Sequence, residues 1–122
     1  MLPRPARLLR RSDFLRVAAA QCKAVTPGLV VQARRRTAQE DGESGPRVGF
    51  TASRKVGNAV ARNRARRRLK ALADDILTRR AAPATDYVLI ARRALLARSY
   101  DALKVDLESA LTRVHEATER TR

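Results

Sequence analysis

Cysteine and histidine are nearly absent from this 122-residue sequence, which contains only Cys22 and His115. One cysteine cannot form a disulfide within the chain, and it cannot supply a zinc site that is built from several thiolates. The single histidine has no neighbouring cysteine and no serine–aspartate pair that the sequence would place beside it. We therefore expect no catalytic residue in the polypeptide itself.

Aromatic residues and long apolar runs are also scarce. Aromatics make up 3% of the sequence, which argues against a protein of the RNA-recognition-motif type, because its sheet carries several stacking aromatics. No apolar run approaches the roughly 20 residues that cross a bilayer, and residues 1–5 lack the apolar segment of a signal peptide. We expect a soluble cytoplasmic protein that does not enter a membrane.

Acidic residues are few in the first part of the chain. Residues 1–73 hold 18 Lys and Arg against four Asp and Glu, whereas residues 74–122 hold nine against eight. No acid lies between Glu43 and Asp74. The whole chain has a formal net charge of +15, and such a charge attracts polyanions over long range. Nucleic acid is the first partner that this charge indicates, and an anionic membrane surface is the second.

The pattern of apolar residues predicts one small α+β domain over residues 1–122, with its elements in the order α-β-β-α-β-α and its helices packed on a small mixed sheet. Residues 1–11 are basic and contain two prolines, and we expect them to form a flexible arm. The polar, turn-rich segment 37–46 predicts a surface loop. The expected helices lie at about 12–20, 59–80 and 99–119, and the expected strands at about 29–34, 47–53 and 87–91.

The helix predicted at 59–80 separates apolar from basic side chains. At 100° per residue an apolar stripe falls on one side, and it consists of Ala61, Ala65, Leu69, Leu72 and Ile76. The remaining arc carries Arg62, Asn63, Arg64, Arg66, Arg67, Arg68 and Lys70. Like charges four residues apart oppose helix formation by about 0.2–0.5 kcal/mol per pair, and no acid lies in this stretch to offset them. We therefore expect the compensating anion on another molecule, and arginine suits phosphate oxygens.

The only two phenylalanines, Phe14 and Phe50, have two open interpretations. Each can be an ordinary core residue, and for a phenylalanine considered by itself this is the favoured interpretation. An exposed aromatic beside a basic rim would instead suit stacking on single-stranded bases.

The segment Arg47–Arg64 (RVGFTASRKVGNAVARNR) resembles the signature of the bacterial ribonuclease P protein, in which a strand of RVG type precedes S-[KR]-K-[VI]-G-N-A-V-x-R-N-R. The flanks agree, because Arg11–Phe14 is similar to the first helix of the family and Asp86–Arg92 is similar to its late strand. The likeness covers nearly the whole chain. It implies the α+β fold of the family, including a left-handed β-α-β crossover that departs from the usual right-handed rule.

The resemblance also implies a function: the protein subunit of an endoribonuclease whose catalyst is an RNA. That RNA uses Mg²⁺ to remove the 5′ leader of precursor tRNA, and the protein binds both the catalytic RNA and the single-stranded leader, with no obligate protein partner. The residues that the resemblance assigns to RNA binding, joined by the neighbouring basic residues of the run, are Arg54, Lys55, Arg62, Asn63, Arg64, Arg66, Arg67, Arg68 and Lys70. Asn63 is also a candidate contact to a hydrated metal ion. The implied leader cleft consists of Phe14, Val17, Gln32, Phe50 and Arg92.

The sequence departs from the family in the leader cleft. The family often has further aromatics on its first helix and first strand, whereas the matching positions here are Ala18 and Gln32. We therefore expect this cleft to stack less on bases and to hydrogen-bond more. The alternative function is a ribosomal or other structural RNA-binding protein without a role in cleavage, and a nuclease that acts without RNA is a third class.

Overall fold

The computed structural model describes residues 4–40 and 45–120, which form five strands and three helices. The strands are β1 (Ala6–Arg7), β2 (Lys23–Val25), β3 (Leu29–Arg35), β4 (Arg47–Thr51) and β5 (Thr85–Ala91). The helices are α1 (Arg11–Ala19), which follows β1, α2 (Ala59–Arg80) between β4 and β5, and α3 (Tyr100–Arg120) at the end. Short 3-10 turns lie at Arg54–Val56 and Leu95–Ala97. The α+β class and the predicted helices are confirmed, whereas β1 and β2 were not predicted because each is only two or three residues long.

The strands form one mixed sheet in the order β1-β4-β5-β3-β2. At its centre β5 pairs in parallel with β4 and antiparallel with β3. This position explains the nearly continuous apolar run of β5, because a central strand is covered on both faces. β4, α2 and β5 form a β-α-β unit, and the left-handed course of its crossover stays a prediction.

The helices cover the two faces of the sheet unequally. In β5, Tyr87, Leu89 and Ala91 belong to the main core, which α2 and α3 close. Val88 and Ile90 point the other way, into a smaller cluster under α1. Side chains alternate between the faces of a strand, so the sequence of β5 builds both cores at once.

Helix α2 forms as the apolar stripe predicts. Asn58 caps it, since its Oδ1 accepts a hydrogen bond from the backbone N–H of Ala61 at 2.9 Å. A side-chain cap of this kind satisfies a backbone N–H that has no partner within the helix. The stripe residues Ala65, Leu69, Leu72 and Ile76 are fully buried, whereas Ala61 at the N-terminal end of the stripe is half-buried.

Helix α3 is capped by Ser99, whose Oγ accepts from the backbone N–H of Ala102 at 3.1 Å. Its core face is buried and consists of Leu103, Leu107, Ala110, Leu111 and Val114. Before the helix the chain forms a 3-10 turn, in which Leu95 is fully buried and Leu96 is half-buried.

The prediction of a flexible arm over residues 1–11 is wrong for the part that the structure describes. β1 pairs in parallel with β4, the backbone N–H of Leu8 donates to the carbonyl of Val48 at 2.9 Å, and the Leu8 side chain is buried. Helix α1 begins at Arg11 without a side-chain cap, so Ser12 lies inside the helix. The edge of β4 supplies these contacts from far along the chain, and no local pattern reveals them. Residues 1–3 lie outside the described residues.

The predicted loop at 37–46 is described at residues 37–40 and 45–46, and all of residues 37–40 are exposed. Glu40 closes a turn there, since its carboxylate accepts from Nη2 of Arg34 at 2.6 Å and from Oγ1 of Thr37 at 2.7 Å. These hydrogen bonds lower the pKa of Glu40 to about 2. Residues 41–44 lie outside the described residues.

Candidate nucleic-acid interface

Helix α2 presents a cluster of cations on the side that faces away from the core, and we call this surface the basic face. Its members are the half-buried Arg62 and the exposed Asn63, Arg64, Arg66, Arg67 and Lys70. Across residues 4–40 and 45–120, no ion pair involves any of the basic-face cations. Such a surface repels itself and is best neutralised by an anion from another molecule.

The buried acids of the protein neutralise arginines elsewhere. Asp86 accepts from Nη1 of Arg36 at 2.6 Å and from Nε and Nη2 of Arg47 at 2.8 Å. Asp106 accepts from Nε and Nη2 of Arg98 at 2.8 and 2.9 Å. Among the described residues, arginines that pair with acids are therefore separated in space from the unpaired cations of the basic face. The paired arginines stabilise the fold, and the basic face remains available to a polyanion.

Asn63 takes part in the basic face through a hydrogen bond within it. Its Oδ1 accepts from Nη1 of Arg66 at 3.0 Å, and both side chains are exposed. The carboxamide nitrogen of Asn63 can still donate to a phosphate or a base edge. A contact between Asn63 and a hydrated metal ion stays a prediction.

Arg68 differs from the other basic residues of the run, and its placement on the exposed basic face is corrected. Its side chain is half-buried, and Nη1 donates to the carbonyl oxygens of Arg98, Leu95 and Leu96 at 3.0, 3.3 and 3.5 Å. A helical projection shows only the residues of one helix. It therefore placed Arg68 on the basic arc, since the contacts of Arg68 with a distant segment of the chain do not appear in it.

The opposite face of the sheet carries part of the predicted leader cleft. Phe14 and Val17 of α1 lie over β4 and β5, where they pack with Leu8, Val88 and Ile90. Phe14 stays half-buried and Val17 is 1% exposed. Phe14 therefore offers part of its ring to a ligand, whereas Val17 supports the cleft from within.

Phe50 lies on the wrong face for this cleft. It is in register with Leu89, whose side chain belongs to the main core, and it packs against that core. Its neighbour Gly49 is in register with Val88 on the α1 side. The prediction that Phe50 lines the same surface as Phe14 is therefore wrong, and the half-buried ring of Phe50 instead lies under the guanidinium of Arg7, 4.6 Å from its centroid.

Gln32 and Ala18, the positions where the sequence lacks the aromatics of the family, do lie together. They line a groove of about 450 Å³ between the C-terminal half of α1 and the sheet, with Val17, Gln21, Cys22 and Lys23. Gln32 is in register with Val88 on one side and with Lys23 on the other. The groove is thus lined by an amide and an ammonium group in place of aromatic rings, and the expectation that it hydrogen-bonds to a leader stays a prediction.

Arg92 lies in a second groove, of about 770 Å³, which we call the edge groove. It is lined by Pro27, Ser53, Arg54, Lys55, Ile90, Ala91, Arg92, Arg93 and Ala94. Strands β4 and β5 are parallel, so their C-terminal ends meet at one edge of the sheet, and the residues that follow each strand form the two sides of the groove. Arg92 is held there, because its Nη1 donates to the carbonyl of Thr26 at 2.8 Å.

Three residues beside the edge groove were not predicted from the sequence: Ile90 and Arg93 line it, and Thr51 is in register with Ile90. Ile90 is half-buried, packs on the α1 cluster and lines the edge groove, so it joins the two parts of the cleft. Thr51 is in register with Ile90 and is half-buried beside it. The alternation Val88, Ile90, Arg92 could have placed Ile90 on this face, but the unbroken apolar run of β5 concealed it.

Cys22 and His115 are titratable groups with shifted pKa values outside the basic face. Burial raises the pKa of the Cys22 thiol, which makes it a poor nucleophile at neutral pH. Burial, together with the charge of Arg80, lowers the pKa of His115, whose Nε2 lies 2.6 Å from Oη of Tyr87. Among the described residues no group of three or more His, Cys, Asp or Glu side chains is arranged to hold a metal ion, and no helix there has both the length and the apolar character to cross a bilayer.

Comparison with known proteins agrees with this geometry. The family model described as ribonuclease P matches residues 2–115. The ribonuclease P protein component of Paramagnetospirillum magneticum is 46% identical over 114 residues, which cover 93% of this chain and 86% of that protein. The corresponding protein of Ruegeria pomeroyi is 50% identical over 109 residues, covering 88% and 85% of the two chains.

Solved structures show the same fold at lower identity. The ribonuclease P protein of Staphylococcus aureus superposes with a TM-score of 0.71 at 24% identity, over 89% of this chain and 94% of that one. The Thermotoga maritima protein gives a TM-score of 0.69 at 22% identity, over 84% and 92%. From the family model and the close relatives, this chain belongs to the ribonuclease P protein family.

Proposed function

We propose that this chain is the protein subunit of ribonuclease P and that it aids removal of the 5′ leader from precursor tRNA by an RNA catalyst. The observation that carries the proposal is the junction of two basic surfaces. The chain leaves β4 through Arg54 and Lys55, which line the edge groove, and then enters α2, which bears the basic face. One nucleic acid on the basic face and a second strand in the edge groove would therefore lie side by side.

The basic face would bind the catalytic RNA. The side chains of Arg64 and Arg67 are exposed and take no part in an ion pair within the described residues, so pairing with phosphate does not require an internal bond to break. Each phosphate that they neutralise releases counterions, which makes the affinity depend steeply on salt. The paired arginines Arg36, Arg47 and Arg98 would not contribute to this dependence.

The edge groove and the exposed part of Phe14 would bind the leader. Single-stranded RNA offers bases that stack or pack on apolar surfaces and phosphates that pair with cations. The half-buried Phe14 and Ile90 supply the apolar floor, and Lys55, Arg92 and Arg93 supply the cationic rim. The role of the protein in this scheme is to bind and orient the leader, and thereby to position the bond that the RNA hydrolyses.

Within the part of the chain that the structure describes, the side chains around Asn63 do not fit a magnesium site of their own. Magnesium prefers carboxylate and carbonyl oxygens with several waters, whereas the amide oxygen of Asn63 already accepts from Arg66 and its neighbours are cations. We therefore assign the Mg²⁺ requirement to the catalytic RNA, as the family resemblance implies, and derive no step from a metal held by the polypeptide.

Reconstitution tests the proposal. Purified protein would be combined with ribonuclease P RNA at low magnesium, and cleavage of precursor tRNA would be compared with cleavage by the RNA alone. The protein should accelerate cleavage and should tighten binding of precursor tRNA more than binding of mature tRNA, which has no leader. Equal cleavage with and without protein would contradict the proposal.

The two alternative functions predict different results in the same experiment. A structural RNA-binding protein would bind the RNA without improving cleavage of the leader-bearing substrate. A nuclease that acts without RNA would cleave precursor tRNA in RNA-free preparations, and such cleavage would overturn the assignment of catalysis to the RNA.

A further inference from the structure

Arg68 links the RNA-facing helix to the segment between β5 and α3. Nη1 of Arg68 donates to the carbonyl of Arg98 at 3.0 Å and to that of Leu95 at 3.3 Å. A longer contact joins it to the carbonyl of Leu96 at 3.5 Å. The carbonyl of Leu95 also accepts from the backbone N–H of Arg98 at 3.3 Å, whereas the carbonyls of Leu96 and Arg98 lie at the end of the short turn, where intrahelical partners are lacking. A charged donor there is worth more than a neutral one, so this contact fixes the segment firmly to α2.

The same segment carries the cationic rim of the edge groove. Arg92 and Arg93 line the groove, and the backbone N–H of Leu95 donates to the carbonyl of Arg92 at 2.9 Å. The residues that Arg68 holds are therefore joined by one tight turn to the residues that line the groove. Because of this hydrogen bond, a displacement of the Leu95 backbone would also displace the backbone of Arg92.

A second anchor holds the far side of this segment. Asp106 of α3 is 5% exposed and accepts from Arg98 through both carboxylate oxygens. It also accepts from the backbone N–H of Gly28 at 3.2 Å, and the carbonyl of Gly28 accepts from the N–H of Arg92 at 3.1 Å. A Cβ at Gly28 would lie 2.9 Å from Oδ2 of Asp106 and would overlap Leu103, so the β2–β3 turn also has little freedom to move.

We propose that Arg68 is a positioning residue, which sets the distance and orientation of Arg92 and Arg93 relative to the basic face and so couples leader binding to the RNA-bound helix. The proposal rests on the function proposed above. It assigns to Arg68 a role opposite to that of its neighbour Arg67: Arg67 is exposed and available to phosphate, whereas Arg68 is half-buried and its Nη1 is engaged with backbone carbonyls.

The test uses the reconstituted holoenzyme with Arg68→Ala and with Arg67→Ala as the matched control on the adjacent position. The first readout is the ratio of affinities for precursor tRNA and mature tRNA, which isolates the contribution of the leader to binding. The second is the slope of log affinity for the RNA subunit against log salt. The third is amide hydrogen exchange of residues 92–98 in the free protein, measured under conditions in which the variants are folded.

Arg68→Ala should reduce the leader-dependent affinity ratio roughly tenfold, since small misplacements of binding groups have effects of this order or larger. It should leave the salt slope unchanged and should raise exchange at residues 92–98 while leaving exchange in the core of α2 protected. Arg67→Ala should instead flatten the slope by roughly 0.7–0.9 and leave exchange at residues 92–98 unchanged.

Two results with Arg68→Ala would overturn the proposal. If Arg68→Ala flattens the salt slope and leaves the leader ratio intact, Arg68 binds phosphate. If only the melting temperature falls, with the slope and the leader ratio unchanged, Arg68 stabilises the fold without positioning the groove.

Should Arg68→Ala fail to fold, Arg68→Lys keeps a cationic donor that can reach fewer carbonyls, and it should give a smaller loss of the leader ratio at an unchanged slope. An unchanged ratio in a folded Lys variant with raised exchange at residues 92–98 would again count against positioning. A wild-type holoenzyme that does not favour the leader would mean that the proposed function itself is wrong.

Discussion

The ring of Phe14 lies against the backbone of Gly49, so close that a Cβ at Gly49 would be 2.5 Å from Cε1 of Phe14. Gly49 is buried in β4, and Phe14 projects from α1 across the sheet. The absence of a side chain at Gly49 therefore fixes how closely α1 approaches β4. The same close approach determines how much of the Phe14 ring remains exposed for a ligand.

Gly49→Ala is expected to destabilise the fold. The added methyl group would force Phe14 and also Leu8, whose Cβ would be 3.3 Å away, to shift, and overpacking of this kind costs about 1–3 kcal/mol. Urea denaturation of the free protein measures the loss. Gly45→Ala is the matched control, because a Cβ there would meet no atom within 4 Å, and it should change the unfolding free energy by less than about 0.5 kcal/mol. Equal stability of the two variants would contradict the close packing of α1 on β4.

The two phenylalanines should respond differently to truncation. Phe14→Ala removes an aromatic surface from the proposed leader site, so it should reduce the affinity for precursor tRNA relative to mature tRNA, by up to about 1–3 kcal/mol if one base stacks on the ring. Phe50→Ala should lower the unfolding free energy through loss of core packing and of the Arg7 contact, and it should leave the affinity ratio unchanged. A leader-specific defect in the Phe50 variant would contradict its placement on the α2 side of the sheet.

Local patterns predicted the elements that are long and strongly periodic. The stripe of α2 from Ala65 to Ile76 follows from the spacing of its apolar residues, and the caps Asn58 and Ser99 follow from their positions before the helices. These features depend on neighbours within one turn of helix. The family signature added the expectation that the basic arc faces RNA.

Contacts between distant segments could not be predicted in the same way. Val48, Phe50 and Ala52 alternate along the sequence and all contribute to the main core. The family resemblance instead assigned Phe50 to the cleft, and only the register with β5 decides between the two faces. Arg68 looked like its neighbours on a helical projection, although the carbonyls that it contacts lie 27 to 30 residues further along the chain. β1 forms because its backbone pairs with the edge of β4. The sequence of a two-residue strand contains no pattern from which this pairing could be predicted.

Arg64→Ala and Arg67→Ala should each weaken binding of the RNA subunit and flatten the dependence of log affinity on log salt by roughly 0.7–0.9 per lost phosphate contact. Both side chains are exposed on the basic face. Arg79→Ala is the control on the same helix, because Arg79 pairs with Glu108 at 3.6 Å and lies near the C-terminal end of α2. Filter binding or fluorescence anisotropy over a range of salt concentrations measures the slope. A slope that Arg67→Ala leaves unchanged would mean that Arg67 does not face phosphate.

Leu72→Ala should cost about 2–5 kcal/mol of unfolding free energy, as is usual for a leucine removed from a packed core. Leu72 is 0% exposed, between α2 and the sheet. Val60→Ala on the same helix is the control, since Val60 is 66% exposed and its truncation should have an effect within about 0.5 kcal/mol. Thermal or urea unfolding compares the two. If the Leu72 variant melts like the wild type, the assignment of the buried stripe of α2 is wrong.

The pair formed by Tyr87 and His115 should make stability depend on pH. The hydroxyl of the fully buried Tyr87 accepts from the backbone N–H of Ala82 at 2.8 Å, and burial raises the pKa of Tyr87 to about 12. The hydroxyl therefore keeps its proton and can donate it to Nε2 of His115, which requires a neutral imidazole. Burial and the nearby charge of Arg80 likewise lower the pKa of His115 below 6.5.

Because the folded protein resists protonation of His115, the unfolded chain binds more protons once the pH falls below about 6.5. The stability that depends on neutral His115 is therefore complete above that pH, and it is lost as the pH falls through the lower pKa of the folded state. Urea denaturation between about pH 8 and about pH 5 should show the wild type losing more stability than His115→Gln, which does not titrate. Tyr87→Phe should raise the pKa of His115 in an NMR titration, since the hydrogen bond to the neutral imidazole is gone. A constant stability difference between wild type and His115→Gln over this range would mean that His115 is not held neutral by its surroundings.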